Sequence, residues 1–215
     1  MKRHEKLDTL QQVTVRGYNR FMIIIDIETT GVDSKKNSIV SIGAVNFEKP
    51  DQSFYEECRV WDNSHIDQVA LEVNGFTEDE VRDGTKHSEG EILTSFFKWL
   101  DEQDDLVVAG QNVFFDCDFL RDAAMRWNIP YFLSRRIIDL HSITYFHMIQ
   151  RGITPPLLNR KTHLDSDKIM EYVGIPTEPK PHKAINGAVW EAEAFSRLLH
   201  NVSLFEQFQK YPILW

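Results

Sequence analysis

The run from Phe21 to Ile27 limits what this chain can become more than any other segment. It is mostly isoleucine, so it reads as a β-strand, and apolar side chains at nearly every position mean that both faces are buried. Such a strand belongs in the interior of a sheet covered by helices. Yet the run carries Asp26, with Glu28 two residues on. Side chains two apart on a strand point to the same face. Burying two carboxylates there costs several kcal/mol per ion unless something compensates. A divalent cation is the obvious compensation, and carboxylate oxygens suit Mg²⁺ or Mn²⁺ better than zinc. The competing reading leaves Asp26 and Glu28 as ordinary polar residues at a solvated strand end. The pair alone does not decide between the two.

The rest of the chain supplies partners for that strand. Gly31 to Asn37 is turn chemistry, and Ser38 to Phe47 and Gln52 to Val60 complete an antiparallel meander. Ile66 to Arg82 breaks into short helices around Asn74-Gly75. Ser88 opens a helix with Glu91 completing a capping box, and Ile92, Leu93, Phe96, Phe97 and Leu100 form its apolar face. A short strand at Leu106 to Ala109 and a helix from Phe114 to Trp127 follow. A short strand at Arg136 to Asp139 then leads into a helix to about Gln150. Pro155 to Lys161 reads as a loop, Leu164 to Val173 as a helix and residues 177–183 as a second loop. Ala184 to His200 is an amphipathic helix, and Leu204 to Tyr211 a last short one. This order implies an α/β fold with a mixed sheet flanked by helices, and a site where strand ends and loops converge. Residues 1–19 are polar, lack periodicity and read as an N-terminal arm; residues 20–215 form one domain.

Charge does not name the chemistry by itself. The net charge is −9, but Phe21 to Asp118 hold 7 Lys/Arg against 22 Asp/Glu, whereas Phe119 to Lys183 hold 10 against 6. An acidic part able to hold metal is followed by a mildly basic part able to hold phosphate, although both also fit ordinary solvated surfaces. Cys58 and Cys117 are the only cysteines, so no disulfide framework is expected and a cytoplasmic setting is. No apolar run approaches the roughly 20 residues of a membrane span, and the charged start, Met1 to Asp8, does not lead into a secretory stretch. No membrane partner is expected.

The segment Asp26-Ile27-Glu28-Thr29-Thr30-Gly31 resembles the first motif of the histidine-type DEDD 3′–5′ exonuclease superfamily, which includes the bacterial DNA polymerase III proofreading subunit and RNase T. In that family the Thr-Gly turn cradles the 3′-terminal nucleotide. The resemblance therefore assigns Thr29, Thr30 and Gly31 to substrate binding, with Val32 wedged against the terminal base. Gly110 to Leu120 resembles the second motif, Asn-x-x-Phe-Asp-x-x-Phe-Leu, with Asn112 and Phe115 toward the substrate and Asp116 at the metal-ligand position. Asp116 also falls near a helix start, where the dipole favours an anion. Phe115, Phe119 and Leu120 fit equally as core anchors.

The third motif, His182-Lys183-Ala184-Ile185-Asn186-Gly187, keeps the family's histidine and alanine but has glycine where the family has aspartate. The resemblance implies two Mg²⁺ or Mn²⁺ ions about 3.5–4 Å apart. Asp26 would bridge them, Glu28 and the fourth carboxylate would serve the nucleophile side, and Asp116 would serve the other. His182 would take the proton of the attacking water, a role suited to imidazole near neutral pH. Glu191 lies four residues beyond Gly187, on the same helix face, and leans toward the helix N-terminus. Gly187 is expected to leave open the space of an aspartate side chain, and Glu191 to supply the fourth carboxylate. Otherwise Glu191 is a solvated helix-face residue and metal binding is weakened. Asp139 reads as a helix cap, and His141, His147 and His163 lack ligand spacing. Arg160, Lys161, Lys180 and Lys183 are candidate phosphate contacts.

The resemblance implies an RNase H-like fold with a mixed five-stranded sheet, acting on single-stranded or 3′-terminal nucleic acid to release nucleoside 5′-monophosphates. Two other functions fit the residues: a nucleic-acid-binding member of the same fold, weakened in catalysis by Gly187, and a hydrolase of small nucleotides or oligonucleotides. RNase T-like relatives form homodimers and proofreading relatives serve a polymerase, but no segment marks either partner. Nothing in the sequence separates DNA from RNA.

Overall fold

The computed structural model describes residues 22–104 and 106–215, so the expected arm at 1–19 lies outside the described residues. Three strands, β1 (Ile23–Thr29), β2 (Ile39–Asn46) and β3 (Ser53–Glu57), form the expected meander. Two short helices follow, α1 (Gln68–Asn74) and α2 (Glu78–Val81), and then α3 (Glu89–Asp101). Two strand–helix units come next: β4 (Val108–Gly110) with α4 (Phe114–Arg126), and β5 (Ile138–Asp139) with α5 (Leu140–Gln150). The sheet order is β3-β2-β1-β4-β5, with β4 and β5 parallel to β1. The apolar run is thus the central strand.

Alternation along β1 sorts its side chains between two cores. Ile23, Ile25 and Ile27 join a cluster with Phe96, Leu100, Phe119 and Leu120 from α3 and α4. Ile24 faces the opposite way, into a cluster with Ala188, Ala192 and Phe195 from α7 (Ala184–His200). Asp26 and Glu28 continue the Ile24 row, so they point at α7. That helix lies unusually close to the sheet. A Cβ on Gly43, the β2 partner of Asp26, would fall 2.2 Å from the Ala184 backbone.

Local signals explain where helices start. Ser88 and Glu91 make the reciprocal capping box of α3, and Asp139 caps α5 by accepting from the Ser142 amide. Two expectations need correction. Pro155 to Lys161 is not an irregular loop, because β6 (Leu157–Leu158) and β7 (Lys161–Thr162) pair across Asn159-Arg160, both at positive φ. Two consecutive left-handed residues make the tight hairpin turn that matches strand twist. Leu204 to Tyr211 contains only a 3₁₀ turn at Glu206–Phe208. Arg197, fully buried on α7, donates to the Phe208 and Tyr211 carbonyls and to Val173 of α6 (Ser166–Val173). Side-chain bonds, not helix propensity, fix that segment. Cys58 and Cys117 are both free, and among the described residues no helix is long and apolar enough to cross a membrane.

Candidate active site

β1 outruns its parallel neighbour. Pairing with β4 covers only Ile23 and Ile24, after which β4 ends at Gly110 and the chain turns away into α4. The crevice at the carboxyl ends of parallel strands, where open α/β sheets place their ligands, therefore opens beside Asp26, Ile27 and Glu28. Asp116, in the first turn of α4, fills the open edge and accepts the Ile27 amide proton at 3.0 Å. The sequence placed Asp116 at a helix start; the structure adds that it completes the sheet's hydrogen bonding.

From the other side α7 brings Glu191, which is only 4% exposed and accepts the Gln111 amide proton at 3.0 Å. The solvated helix-face alternative for Glu191 is ruled out by that burial. Gly187 does sit on the same buried face, but the expected open space beside it does not exist. A Cβ there would lie 2.1 Å from Asp26 Oδ2, so the Asp26 carboxylate fills the volume that an aspartate side chain would need.

A fifth acid, Glu178, is one that sequence reasoning missed. It is 8% exposed, accepts the Lys183 amide proton at 3.0 Å, and has its other oxygen 3.1 Å from His182 Nδ1. The spacing Glu178-x-x-x-His182 was visible, but in a proline-rich loop an interval of four carries no geometric meaning. His182 also donates its amide to Val73 of α1 at 3.2 Å.

These acids raise one another. Burial first, then the Glu191, Glu28, Asp116 and Glu178 carboxylates, hold Asp26 well above the usual carboxylate range. Burial, then Glu178 and Asp116, push Glu28 up to about 8. Burial pushes Asp116 to about 7 against the pull of its own amide and that of Ile27. Glu191 is also held well above its ordinary value by burial and then by Asp116, against the pull of the Gln111 amide. Burial raises Glu178, opposed by the Lys183 amide and by His182. Among the described residues no lysine, arginine or histidine forms an ion pair with Asp26, Glu28, Asp116 or Glu191. The α4 dipole contributes about 0.3–1 kcal/mol, too little against several kcal/mol per buried ion. The donor set is all hard oxygen, which fits a divalent cation of the magnesium class. As they stand, no three carboxylate, imidazole or thiol groups among the described residues meet at metal-holding geometry.

The other predicted site residues divide sharply. Thr30 is fully buried; its hydroxyl donates to the His65 carbonyl and accepts from the Ser38 amide. Thr29 donates to the Gly31 carbonyl. Val32 is 85% exposed, an apolar side chain that the turn presents to solvent. Asn112, at positive φ, lines a cavity of 420 Å³ with Gln111, Phe114, Asp139 and His141. Phe115 packs on Phe119, with ring centroids 4.8 Å apart, in its core-anchor role. His141, His147 and His163 each have other partners: Thr162, Tyr172 and Asp165.

Comparison with known proteins bears on the family and the fold. The RNase_T family profile, described as exonuclease, matches residues 23–195. A DNA polymerase III PolC-type from Thermotoga maritima is 25% identical over 143 residues, covering 62% of this chain and 10% of the polymerase. Ribonuclease T from Haemophilus influenzae is 29% identical over 128 residues, covering 53% of this chain and 54% of that enzyme. The chain thus spans about half of one relative and a tenth of the other. Among solved structures, the nuclease domain of 3′hExo, a DEDDh family member bound to rAMP, superposes with a TM-score of 0.66 at 16% identity, over 88% of this chain and 96% of that one. Cell-death related nuclease 4 gives 0.68 at 17%, over 91% and 72%. Escherichia coli exonuclease I with a dA16 oligonucleotide gives 0.65 at 17%, over 88% and 43%. The common fold is RNase H-like. Because the profile match runs from the first strand into the last long helix, the chain belongs to the RNase_T family of exonucleases.

Proposed function

We propose that this protein is a divalent-metal-dependent 3′–5′ exonuclease whose fourth carboxylate is Glu191. One observation carries the reading: buried carboxylates from β1, α4 and α7 converge at the end of the central strand, Asp116 on the Ile27 amide, Glu191 on the Gln111 amide and Asp26 against Gly187, and among the described residues no cationic side chain pairs with them. Asp26, Glu28, Asp116 and Glu191 would hold the cations. Bound Mg²⁺ or Mn²⁺ supplies charge to the scissile phosphate and acidifies the attacking water.

His182 has Nδ1 engaged by Glu178, which leaves Nε2 to accept the water's proton. Glu178 fixes the ring's orientation and stabilises the imidazolium once it forms. Val32 and the backbone of the Thr29–Gly31 turn receive the terminal nucleotide, while the threonine hydroxyls hold the turn in shape. The neighbours solved with rAMP and with dA16 support a nucleic-acid 3′ end as substrate.

The test uses 5′-labelled single-stranded DNA and RNA of about 20 nucleotides with Mg²⁺, Mn²⁺ or chelator. Stepwise shortening with release of nucleoside 5′-monophosphates is expected only with metal. No metal-dependent release from either polymer would sink the proposal. The second reading, a nucleic-acid-binding member weakened in catalysis, rests on Gly187; it gains if metal-dependent binding to 3′ ends persists without cleavage.

A further inference from the structure

The segment from Leu140 to Leu164 contains three Lys/Arg, three histidines and no Asp or Glu, in a chain of net charge −9. Its two elements adjoin the carboxylate cluster. α5 starts at the crevice and carries apolar residues on both sides. Leu140, Thr144 and Met148 are buried, whereas Tyr145, Phe146 and Ile149 are 41%, 59% and 49% exposed. Tyr145 and Phe146 are adjacent, about 100° apart round the helix, and each lies one turn from Ile149, while Tyr145 stands one turn beyond His141, which lines the 420 Å³ cavity. The hairpin β6–β7 is tied to the same place. Thr162 bonds His141 at 2.7 Å, and the Leu164 carbonyl accepts from the Gln111 side chain at 3.0 Å. Its turn presents Arg160 and Lys161 to solvent, and neither has a carboxylate partner among the described residues.

Resting on the exonuclease reading, we infer that this face is the track for the single strand upstream of the 3′ end. Backbone phosphates lie on Arg160 and Lys161, and bases lie against Tyr145 and Phe146. A cationic ridge interleaved with exposed aromatics is what a single strand needs, because every base has a face to stack. The complementarity is local. The strand must reach carboxylates embedded in an acidic half of the molecule, and screening confines attraction to about 8–10 Å, so its compensating charge has to sit next to the site. The cavity of 250 Å³ that Phe114 also lines is the competing route: its Arg121 is paired with Asp118 at 2.7 Å and with Asp122 at 3.3 Å, which leaves Arg135 as its cation for a phosphate.

Two surface variants of the full chain test this track, Arg160→Ala/Lys161→Ala and Tyr145→Ala/Phe146→Ala. Equilibrium binding to fluorescent dT20 is followed between about 50 and 200 mM KCl in the Asp26→Asn background, so the measurement stands even if the exonuclease reading fails. Loss of two phosphate contacts lowers the slope of log affinity against log salt by about 1.4, at about 0.7 per contact. Loss of two stacking rings weakens binding roughly tenfold or more with the slope unchanged. In the otherwise unaltered protein with Mn²⁺, both variants raise KM for a 20-mer while kcat/KM for the p-nitrophenyl ester of thymidine 5′-monophosphate stays within about twofold. Unchanged affinity and slope in both variants overturns the proposal. Equal losses on the ester and the 20-mer overturn it too, as does conversion of a dimer to a monomer by the aromatic variant without loss of binding, which assigns the face to a second copy.

Discussion

Glu191 and Gly187 have to be understood together. The Asp26 carboxylate occupies the place where position 187 would put a side chain, so the carboxylate the family carries there has no room while Asp26 keeps its orientation. Glu191→Ala is therefore expected to abolish metal-dependent cleavage and to weaken Mn²⁺ binding by calorimetry; unchanged binding heat would remove Glu191 from the ligand set. Gly187→Asp alone is expected to lower the same metal-dependent cleavage relative to the unaltered protein, since it displaces Asp26. Glu178→Gln keeps the shape but removes the charge facing His182. Its kcat should fall at least tenfold with little change in KM, a fraction of the 10²–10⁴ that general acid–base catalysis contributes. A loss confined to KM would argue that Glu178 only braces the loop. Asp26, Glu28, Asp116 and His182 were all legible in the sequence because each lies in a motif with fixed spacing. Glu191 was legible because helix periodicity is reliable over one turn. Glu178 was not, since its partner is reached through a loop whose path no periodicity describes.

At the level of elements, the meander, α3 and α7 followed from pattern, and the errors fell where tertiary bonds outvote local preference. The hairpin at Leu157 to Thr162 is too short for alternation to register. The C-terminal segment is pinned by Arg197 rather than wound into a helix. A similar staple joins three elements near the site. Glu89, fully buried at the start of α3, accepts from Ser38 and Ile39 beside the Thr-Gly turn and from Arg126 and Trp127 at the end of α4. Glu89→Ala strands the partly buried Arg126 and should cost about 3–5 kcal/mol, the usual penalty for breaking a buried pair. Thermal unfolding of the metal-free protein measures it; a change below about 1 kcal/mol would mean that solvent replaces the carboxylate.

For the whole molecule, net charge was the least informative number in the sequence, because the acidic excess includes the site itself. The raised carboxylates give stability a definite pH dependence. Glu28 and Asp116 move from ordinary values near 4 to about 8 and 7 in the folded protein. Groups shifted upward favour the folded state fully below their unfolded values, and that contribution is lost as pH rises through the folded ones. Without metal, the melting temperature is expected to fall between about pH 5 and 8. Divalent cation should stabilise the protein more at pH 8 than at pH 5, because proton release and metal binding are linked. A metal-induced shift in melting temperature that is equal at both pH values would contradict this.

Gln111 places a limit on how such a protein can be re-engineered. Its backbone amide belongs to Glu191 and its side chain to the Leu164 carbonyl, so one residue serves the carboxylate cluster and the root of the hairpin at once. The tip at Asn159-Arg160 makes no contact with Gln111, so a change of length or sequence there leaves the carboxylates in place and bears only on the strand it would meet. The root has no such freedom. A transplanted hairpin keeps the enzyme working only if residue 164 stays where it is, because any displacement there is passed through a single amino acid to the carboxylate one bond away.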